Sequence, residues 1–280
     1  MSIHALQTLR CPLDGESLHR EAACWRCQNG HSFDIAREGY VNLLPVQHKR
    51  SRDPGDSKEM VLARRQFLNA GYYQAIADAV AKAVLRDVES GSLCCLDAGS
   101  GEGYYLRELA RQAPPDIELF LGGLDISKWA VQAAAKQDST PAWWVASNAN
   151  IPVQSNSVDR VLCLFGFPVY AEFARVLRPD GVLLMADPGP NHLRQLREVL
   201  YPSLRPVSGE MPVCPPGFAE LSIESLQHEI VVEGAVAIQQ LLGMTPHFFR
   251  ASADGRKQAT ALTRLPLTLD VVIRRLRRND

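Results

Sequence analysis

At 280 residues, with 46% hydrophobic and 22% charged side chains, the chain has the make-up of a globular protein with a full core, sized for one large domain plus a small one. A formal net charge of -1 excludes a polycation, so any nucleic-acid contact has to come from local basic patches. No apolar run reaches the roughly 20 residues needed to cross a bilayer; the longest, 161–171, contains Pro168, and Met1–Arg10 lacks the apolar core of an export signal. No membrane partner and a cytoplasmic location are therefore expected, and in that compartment seven cysteines argue against a disulfide framework.

From the N-terminus, Cys11, Cys24, Cys27 and His31 fall close together among short turn-rich segments. A C-x2-C pair followed by a histidine has the spacing of half a zinc site, and thiolates with imidazole suit tetrahedral Zn2+. The other half is irregular: Cys11-Pro-Leu-Asp14 has the form of a zinc-ribbon knuckle with Asp in the second ligand position. Either Asp14 ligates through oxygen or Cys24 replaces the missing thiolate, the alternative to both being a metal-free vestige. Residues 1–36 are read as this ribbon and 37–57 as an ordered polar loop, punctuated by Arg52-Asp-Pro-Gly-Asp56 and carrying the basic run His48-Lys-Arg-Ser-Arg52. That run either grips phosphates or is a solvated face.

Residues 58–88 show helical periodicity, with Leu62, Phe67, Ile76, Val80 and Val84 apolar. Strands near 93–98, 118–124, 142–146, 158–164 and 181–186 then alternate with helices, which implies a parallel sheet covered on both faces. The first strand runs into Leu96-Asp-Ala-Gly-Ser-Gly-Glu-Gly103, with a helix expected from Glu102 to Gln112. Gly99, Gly101 and Gly103 form a tight turn that lets the backbone approach a ligand, while the helix start offers free N–H groups. The second strand ends in Asp125, placed to accept hydrogen bonds from a ribose or, alternatively, to cap the helix after it. Two last strands are expected at 225–232 and 266–276 around a helix at 234–242. Arg274, Arg275, Arg277 and Arg278 read as a solvated tail.

Strand, D-x-G-x-G-x-G, helix differs from the dinucleotide fingerprint and resembles class I S-adenosylmethionine (SAM) methyltransferases. A longer set sharpens the likeness: Gly39-Tyr-Val-Asn-Leu-Leu-Pro45 through Asp56, Ala63-Arg-Arg-Gln-Phe67 to Tyr73, Gly101-Glu-Gly-Tyr-Tyr105, Pro188-Gly-Pro-Asn-His192 and Leu241-Leu-Gly-Met-Thr-Pro246. In this order the set resembles the bacterial 23S rRNA guanine-N1 methyltransferases of the RlmA family, over nearly the whole chain. The resemblance implies an α/β, Rossmann-like methyltransferase sheet over 58–280 behind an RNA-recognising zinc ribbon, methylation of N1 of one guanine in a 23S rRNA hairpin loop, and a homodimer. It places Tyr73, Glu102-Gly103 and His192 against SAM, Ser147 and Asn148 near its adenine, and Cys11, Cys27 and His31 on zinc, with Asp14 where the family has cysteine.

Asp97, Gly99, Gly101 and Asp125 complete the expected cofactor set. The target base is expected to enter beside Phe165-Gly-Phe-Pro-Val169, with Phe165, Phe167 and Tyr170 as a stacking platform or as core. Guanine N1 carries a proton at neutral pH, so an acceptor is required; Asp187, ahead of Glu172, is the sequence's candidate, the alternative being that it caps the following segment. A SAM-dependent enzyme acting on a small molecule, and a non-catalytic protein that binds SAM or RNA, are the competing readings.

Overall fold

The computed structural model describes residues 2–48, 51, 53–204 and 213–279. Strand β1 (Ser2–Ala5) is followed by β2 (His19–Glu21), β3 (Cys24–Arg26), β4 (Ser32–Asp34) and β5 (Val41–Asn42). Helices α1 (Lys58–Asn69) and α2 (Gln74–Leu85) lead into β6 (Gly91–Ala98), α3 (Tyr104–Gln112), β7 (Ile117–Asp125), α4 (Lys128–Gln137), β8 (Ala142–Val145) and β9 (Val158–Leu164). Then come α5 (Tyr170–Val176), β10 (Leu177–Pro188), α6 (Arg194–Leu200), β11 (Phe218–Glu233), α7 (Ala235–Met244), α8 (Pro246–Arg250), α9 (Ala253–Thr260) and β12 (Arg264–Arg278).

Strands β2, β3 and β4 make a small antiparallel sheet, and the rest join one sheet in the order β11-β12-β10-β9-β6-β7-β8-β5, with β1 alongside β7. Strands β6 to β10 are mutually parallel, and β12 turns back antiparallel between β10 and β11. Strand order reverses between β6 and β9, and the crevice outside strand ends at such a reversal is where open α/β sheets bind ligands. This is the class I methyltransferase sheet. Its centre is shaped by size matching: β8 carries Trp143 and Trp144, both almost fully buried, and a Cβ on Gly123 or Gly122 of β7 would come within 2.4 Å and 2.6 Å of those rings.

Several expectations are corrected. Residues 2–5 do not belong to the ribbon; they pair parallel with β7 from Glu118 to Leu121. The periodic stretch 58–88 is two helices, because Gly71 takes a left-handed φ of +85° between them. Helix α3 starts at Tyr104, since Gly103 at φ +83° stands outside it as N-cap. The last two strands run further at both ends than expected, over 218–233 and 264–278. Arg274 and Arg275 are therefore no solvated tail: they are 1% and 4% exposed, paired with Glu220 at 3.1 Å and Asp87 at 2.8 Å.

The ribbon is bolted to the loop after β8. Arg10 N donates to Pro152 O at 3.0 Å, Gln154 N to Thr8 O at 2.9 Å and Asn150 Nδ2 to Pro12 O at 3.0 Å. Leu9, Leu18 and Trp25 share one hydrophobic cluster with Leu96, Ile151, Val153 and Phe173. All seven cysteines are free thiols. No helix among the described residues is long and apolar enough to cross a membrane.

Candidate active site and metal centre

The glycine turn leaves β6 and folds back on β7: the N–H groups of Gly99 and Ser100 both donate to Leu124 O at 2.9 Å. Asp125 fastens it, taking Gly101 N at 3.0 Å on one carboxylate oxygen and Ser127 N at 2.8 Å on the other. The cap of α4 is Ser127, which accepts from Ala130 N, so Asp125 does not cap that helix. Each Asp125 oxygen keeps a lone pair for a further donor. A Cβ on Gly99 would meet nothing within 4 Å, so the space above it is open.

Asp97, two residues before Gly99 at the end of β6, is fully buried, and neither carboxylate oxygen has a partner; Ser100 Oγ is likewise unpartnered. Burial, then the charge of Asp125, pushes the Asp97 carboxyl up to about 8. A buried carboxylate left bare is costly and calls for a donor or cation. The ammonium and hydroxyls of SAM are such donors, so the residues fit that cofactor. Glu102 behaves differently from its neighbours: its carboxylate is engaged by Arg107 at 3.0 Å and by the Gln137 amide, bracing α3 against α4.

An aromatic wall faces the turn. Tyr73 Oη lies 3.3 Å from His192 Nε2, and Asp270 N donates to His192 Nδ1 at 3.3 Å. Phe165, held at φ +54°, stands 5.8 Å from the His192 ring and 6.5 Å from those of Tyr73 and Tyr105. Desolvation pulls His192 down to about 4, and burial raises the Tyr73 hydroxyl. The three aromatics of the expected platform part company: Phe165 joins this wall, Phe167 is 90% exposed, and Tyr170 is half-buried with its hydroxyl 3.9 Å from Met185 sulfur. Asn148 Nδ2 donates to Ala98 O at 3.4 Å and to Phe167 O at 3.2 Å, tying the base-entry loop to β6; Ser147 Oγ accepts from Ala149 N.

Asp187 lies at the end of β10, half-buried, and its carboxylate takes no hydrogen bond among the described residues; burial raises its pKa against the pull of Arg274. Glu172, by contrast, accepts from Ile151 N and from two nitrogens of Arg175, all at 2.7 Å, and is held below the usual carboxylate range. It is a brace.

Sequence reasoning missed the clamp over the turn. Asp56 pairs with Arg64, whose Nη2 also donates to Met244 O at 3.2 Å, and Ser127 Oγ donates to Asp56 O at 2.7 Å. Gly55 is required there, since a Cβ would come within 2.9 Å of Ile126 and Ser127. Punctuation at Pro54-Gly55 marked a turn; its docking target far along the chain left no local signal. Lys49, Arg50 and Arg52 of the basic run lie outside the described residues, as do residues 205–212.

In the ribbon, one donor atom each from Cys11, Asp14, Cys27 and His31 lies within 4.8 Å of the others. The sulfurs of Cys11 and Cys27 stand 3.6 Å and 3.4 Å from His31 Nδ1, and Asp14 Oδ2 stands 3.3 Å from Cys27 sulfur and 2.8 Å from His31 Nδ1. Tetrahedral Zn2+ with bonds of about 2.3 Å to sulfur and about 2.0–2.1 Å to nitrogen or oxygen sets sulfur roughly 3.5 Å from those donors. The cage fits. Main-chain donation from Glu16, first, holds Asp14 ionised. Cys24 is not in the cluster: it sits in β3 opposite Glu21 and Asp34, beside the β2–β3 turn, whereas the knuckle follows the other end of that strand.

Comparison with known proteins decides the family. The model of the RlmA N-terminal zinc ribbon matches residues 9–52, and a methyltransferase-domain model matches 96–185. A protein of Micromonospora griseorubida, provisionally named a 23S rRNA (guanine-N(1)-)-methyltransferase, is 38% identical over 68% of this chain and 69% of its own. The 23S rRNA (guanine(748)-N(1))-methyltransferase of Streptomyces fradiae is 33% identical over 71% and 70%. A provisionally named 23S rRNA (guanine-N(1)-)-methyltransferase of Bacillus subtilis is 33% identical over 69% and 68%. The chain belongs to the 23S rRNA guanine-N1 methyltransferases. In this family member the methyltransferase match takes in the glycine turn, Asp125 and most of β10, and the ribbon match takes in all four clustered donors. SAM is the cofactor of such a domain, and the donor set is that of a zinc site.

Proposed function

We propose that this protein transfers the methyl group of SAM to N1 of a single guanine in a hairpin loop of 23S rRNA, working in the cytoplasm as a homodimer. The observation that carries the reading is the bare, buried carboxylate of Asp97 next to the open Gly99 turn, with exposed Phe167 on the same edge of the sheet. Residues 6–36 would read RNA, 37–57 would link and clamp, and 58–280, joined by the strand Ser2–Ala5, would hold the chemistry. Zinc would be held by Cys11, Asp14, Cys27 and His31 and would give the ribbon a rigidity its own small core cannot.

Bound SAM supplies a methyl group on a good leaving group. Asp97, the main chain of Gly99, Gly101, Glu102 and Gly103, Tyr73 and His192 would hold its methionine end, Asp125 its ribose, and Ser147 with Asn148 its adenine. Positioning of this kind supplies about 7–11 kcal/mol of barrier reduction. Phe167 would stack on the extruded base or its neighbour, Phe165 and Tyr105 would exclude water, and Asp187 would accept the N1 proton, being half-buried and uncommitted.

The test is label transfer from tritiated SAM to rRNA from a strain lacking the modification. Label at N1 of one hairpin guanine is the expected result. Label confined to small molecules, or no label with folded protein, overturns the reading.

A further inference from the structure

One groove takes no part in this chemistry. Helices α1 and α4 start together, where Ser127 Oγ holds Asp56 O, and then run side by side. Lys58, Leu62 and Arg65 recur on α1 at i, i+4 and i+7, and Trp129, Ala133 and Lys136 recur on α4 with the same spacing, so each helix offers one cation–apolar–cation stripe or its aromatic equivalent. These residues, with Val61 and Gln132, line a single open groove.

Its chemistry is specific. Leu62 is 44% exposed, and Lys58 Nζ stands 6.0 Å over the Trp129 ring. Neither Lys58 nor Arg65 has a carboxylate partner among the described residues, and Lys136 makes only a 3.8 Å contact with Glu38, whose carboxylate also accepts from Gln132. Two cations without a carboxylate partner and a third paired only at 3.8 Å, around an apolar, aromatic floor, suit an anionic chain with flat apolar faces: cations take phosphates, and the indole and Leu62 take a base. Lys58 and Arg65 lie roughly 10 Å apart along the axis at about 1.5 Å per residue, enough for successive phosphates.

We propose that the groove between α1 and α4 binds an unpaired stretch of the same rRNA that flanks the target guanine. The proposal rests on the RNA-methylation reading and adds a second contact area to it, away from the base-entry loop. The groove begins at the Asp56–Ser127 clamp, so RNA seated there also covers the segment that closes the ribose end of the cofactor site.

The test uses full-length K58Q/R65Q and K136Q proteins and a fluorescent rRNA hairpin with its flanking single strands. Binding is read by anisotropy across a salt series, and methylation and the affinity for S-adenosylhomocysteine are read separately. The double variant should bind RNA about tenfold more weakly at low salt. The slope of log K against log salt should shrink by about 1.4, or about 0.7 for each single-strand phosphate contact. Product affinity and saturating-RNA rate should stay unchanged, and Trp129→Ala should weaken binding with no change of slope. Unchanged RNA affinity and slope in the double variant overturn the proposal, as does a change confined to the sedimentation of the free protein, which would make the groove an interface between copies. Failure of the RNA-methylation reading shows separately, as absence of methylation by the unsubstituted protein.

Discussion

The hydroxyl of Tyr73 lies 3.3 Å from His192 Nε2, and the other nitrogen of that ring accepts the main-chain N–H of Asp270. A nitrogen that accepts carries no proton, so the neutral ring is protonated on Nε2 and donates to Tyr73, leaving the Tyr73 O–H as a donor toward the cofactor site. With His192 drawn down to about 4, the ring should stay neutral to about pH 5, and 15N shifts should show one Nε2–H tautomer throughout. The unfolded chain takes this proton near 6.5, so stability should fall by up to about 3 kcal/mol as pH drops from 6.5 to 4. His192→Gln should flatten that part of the acid unfolding curve. Tyr73→Phe should weaken S-adenosylhomocysteine binding about tenfold by calorimetry, the worth of one net hydrogen bond.

Asp97 predicts a second pH effect of opposite sign. Its carboxyl is raised to about 8, so the ligand-free folded state holds a proton the unfolded chain has lost, and stability should decline as pH rises from 4 to 8. A cationic amine in the site favours the carboxylate, so binding below pH 8 must release that proton. S-adenosylhomocysteine should bind more tightly between pH 6.5 and 8.5, with heats that depend on the buffer's ionisation enthalpy. Asp97→Asn should remove both effects; a pH-independent affinity in the unsubstituted protein would contradict the assignment.

Asp14 and Cys24 can be separated by metal analysis. Asp14→Ala and Cys27→Ala should lose zinc, Asp14→Cys should keep it, and Cys24→Ser should leave one equivalent per chain, because Cys24 stands outside the cage. Chelation should loosen the β2–β4 sheet to proteolysis while α/β circular dichroism changes little, because zinc would tie the knuckle after β3 to Cys11 and Asp14.

Asp187 and Glu172 should respond differently to loss of charge. Asp187→Asn should lower the single-turnover rate at neutral pH by roughly 10²–10⁴ if it takes the proton. Glu172→Gln should act on stability instead, by about 1–3 kcal/mol in thermal unfolding, since it strips acceptors from Arg175 and Ile151 N. An Asp187→Asn rate unchanged at all pH values would remove Asp187 from the mechanism.

The parts of the fold legible in the sequence are those whose physics is local. The run Leu96 to Gly103 encodes a strand end, an acid and three left-handed glycines within a few residues, and strand–helix alternation encodes the parallel sheet. What escaped depends on contacts far apart in sequence. Ser2–Ala5 carries no strand signal of its own and is ordered by β7. Arg274 and Arg275 look like a polar tail until strand alternation sends one to each face of the sheet, toward Glu220 and Asp87. Cys24 and Asp14 are equivalent by spacing, and only the pairing of β3 decides which one reaches the knuckle.

Gly99 and Gly103, four residues apart in one turn, should fail in different ways when given a methyl group. Both have positive φ, so alanine costs about 1–2 kcal/mol at either position from backbone strain alone. At Gly103 the new Cβ would also lie 2.5 Å from the Trp143 ring, which is locked between β7 and α3, and overpacking adds about 1–3 kcal/mol. Gly103→Ala should therefore unfold at a clearly lower temperature. At Gly99 the methyl meets no protein atom within 4 Å and enters the open space over the turn. Gly99→Ala should stay folded with a small loss of thermal stability and lose most of its S-adenosylhomocysteine affinity; an unchanged affinity would place the cofactor somewhere other than over this turn.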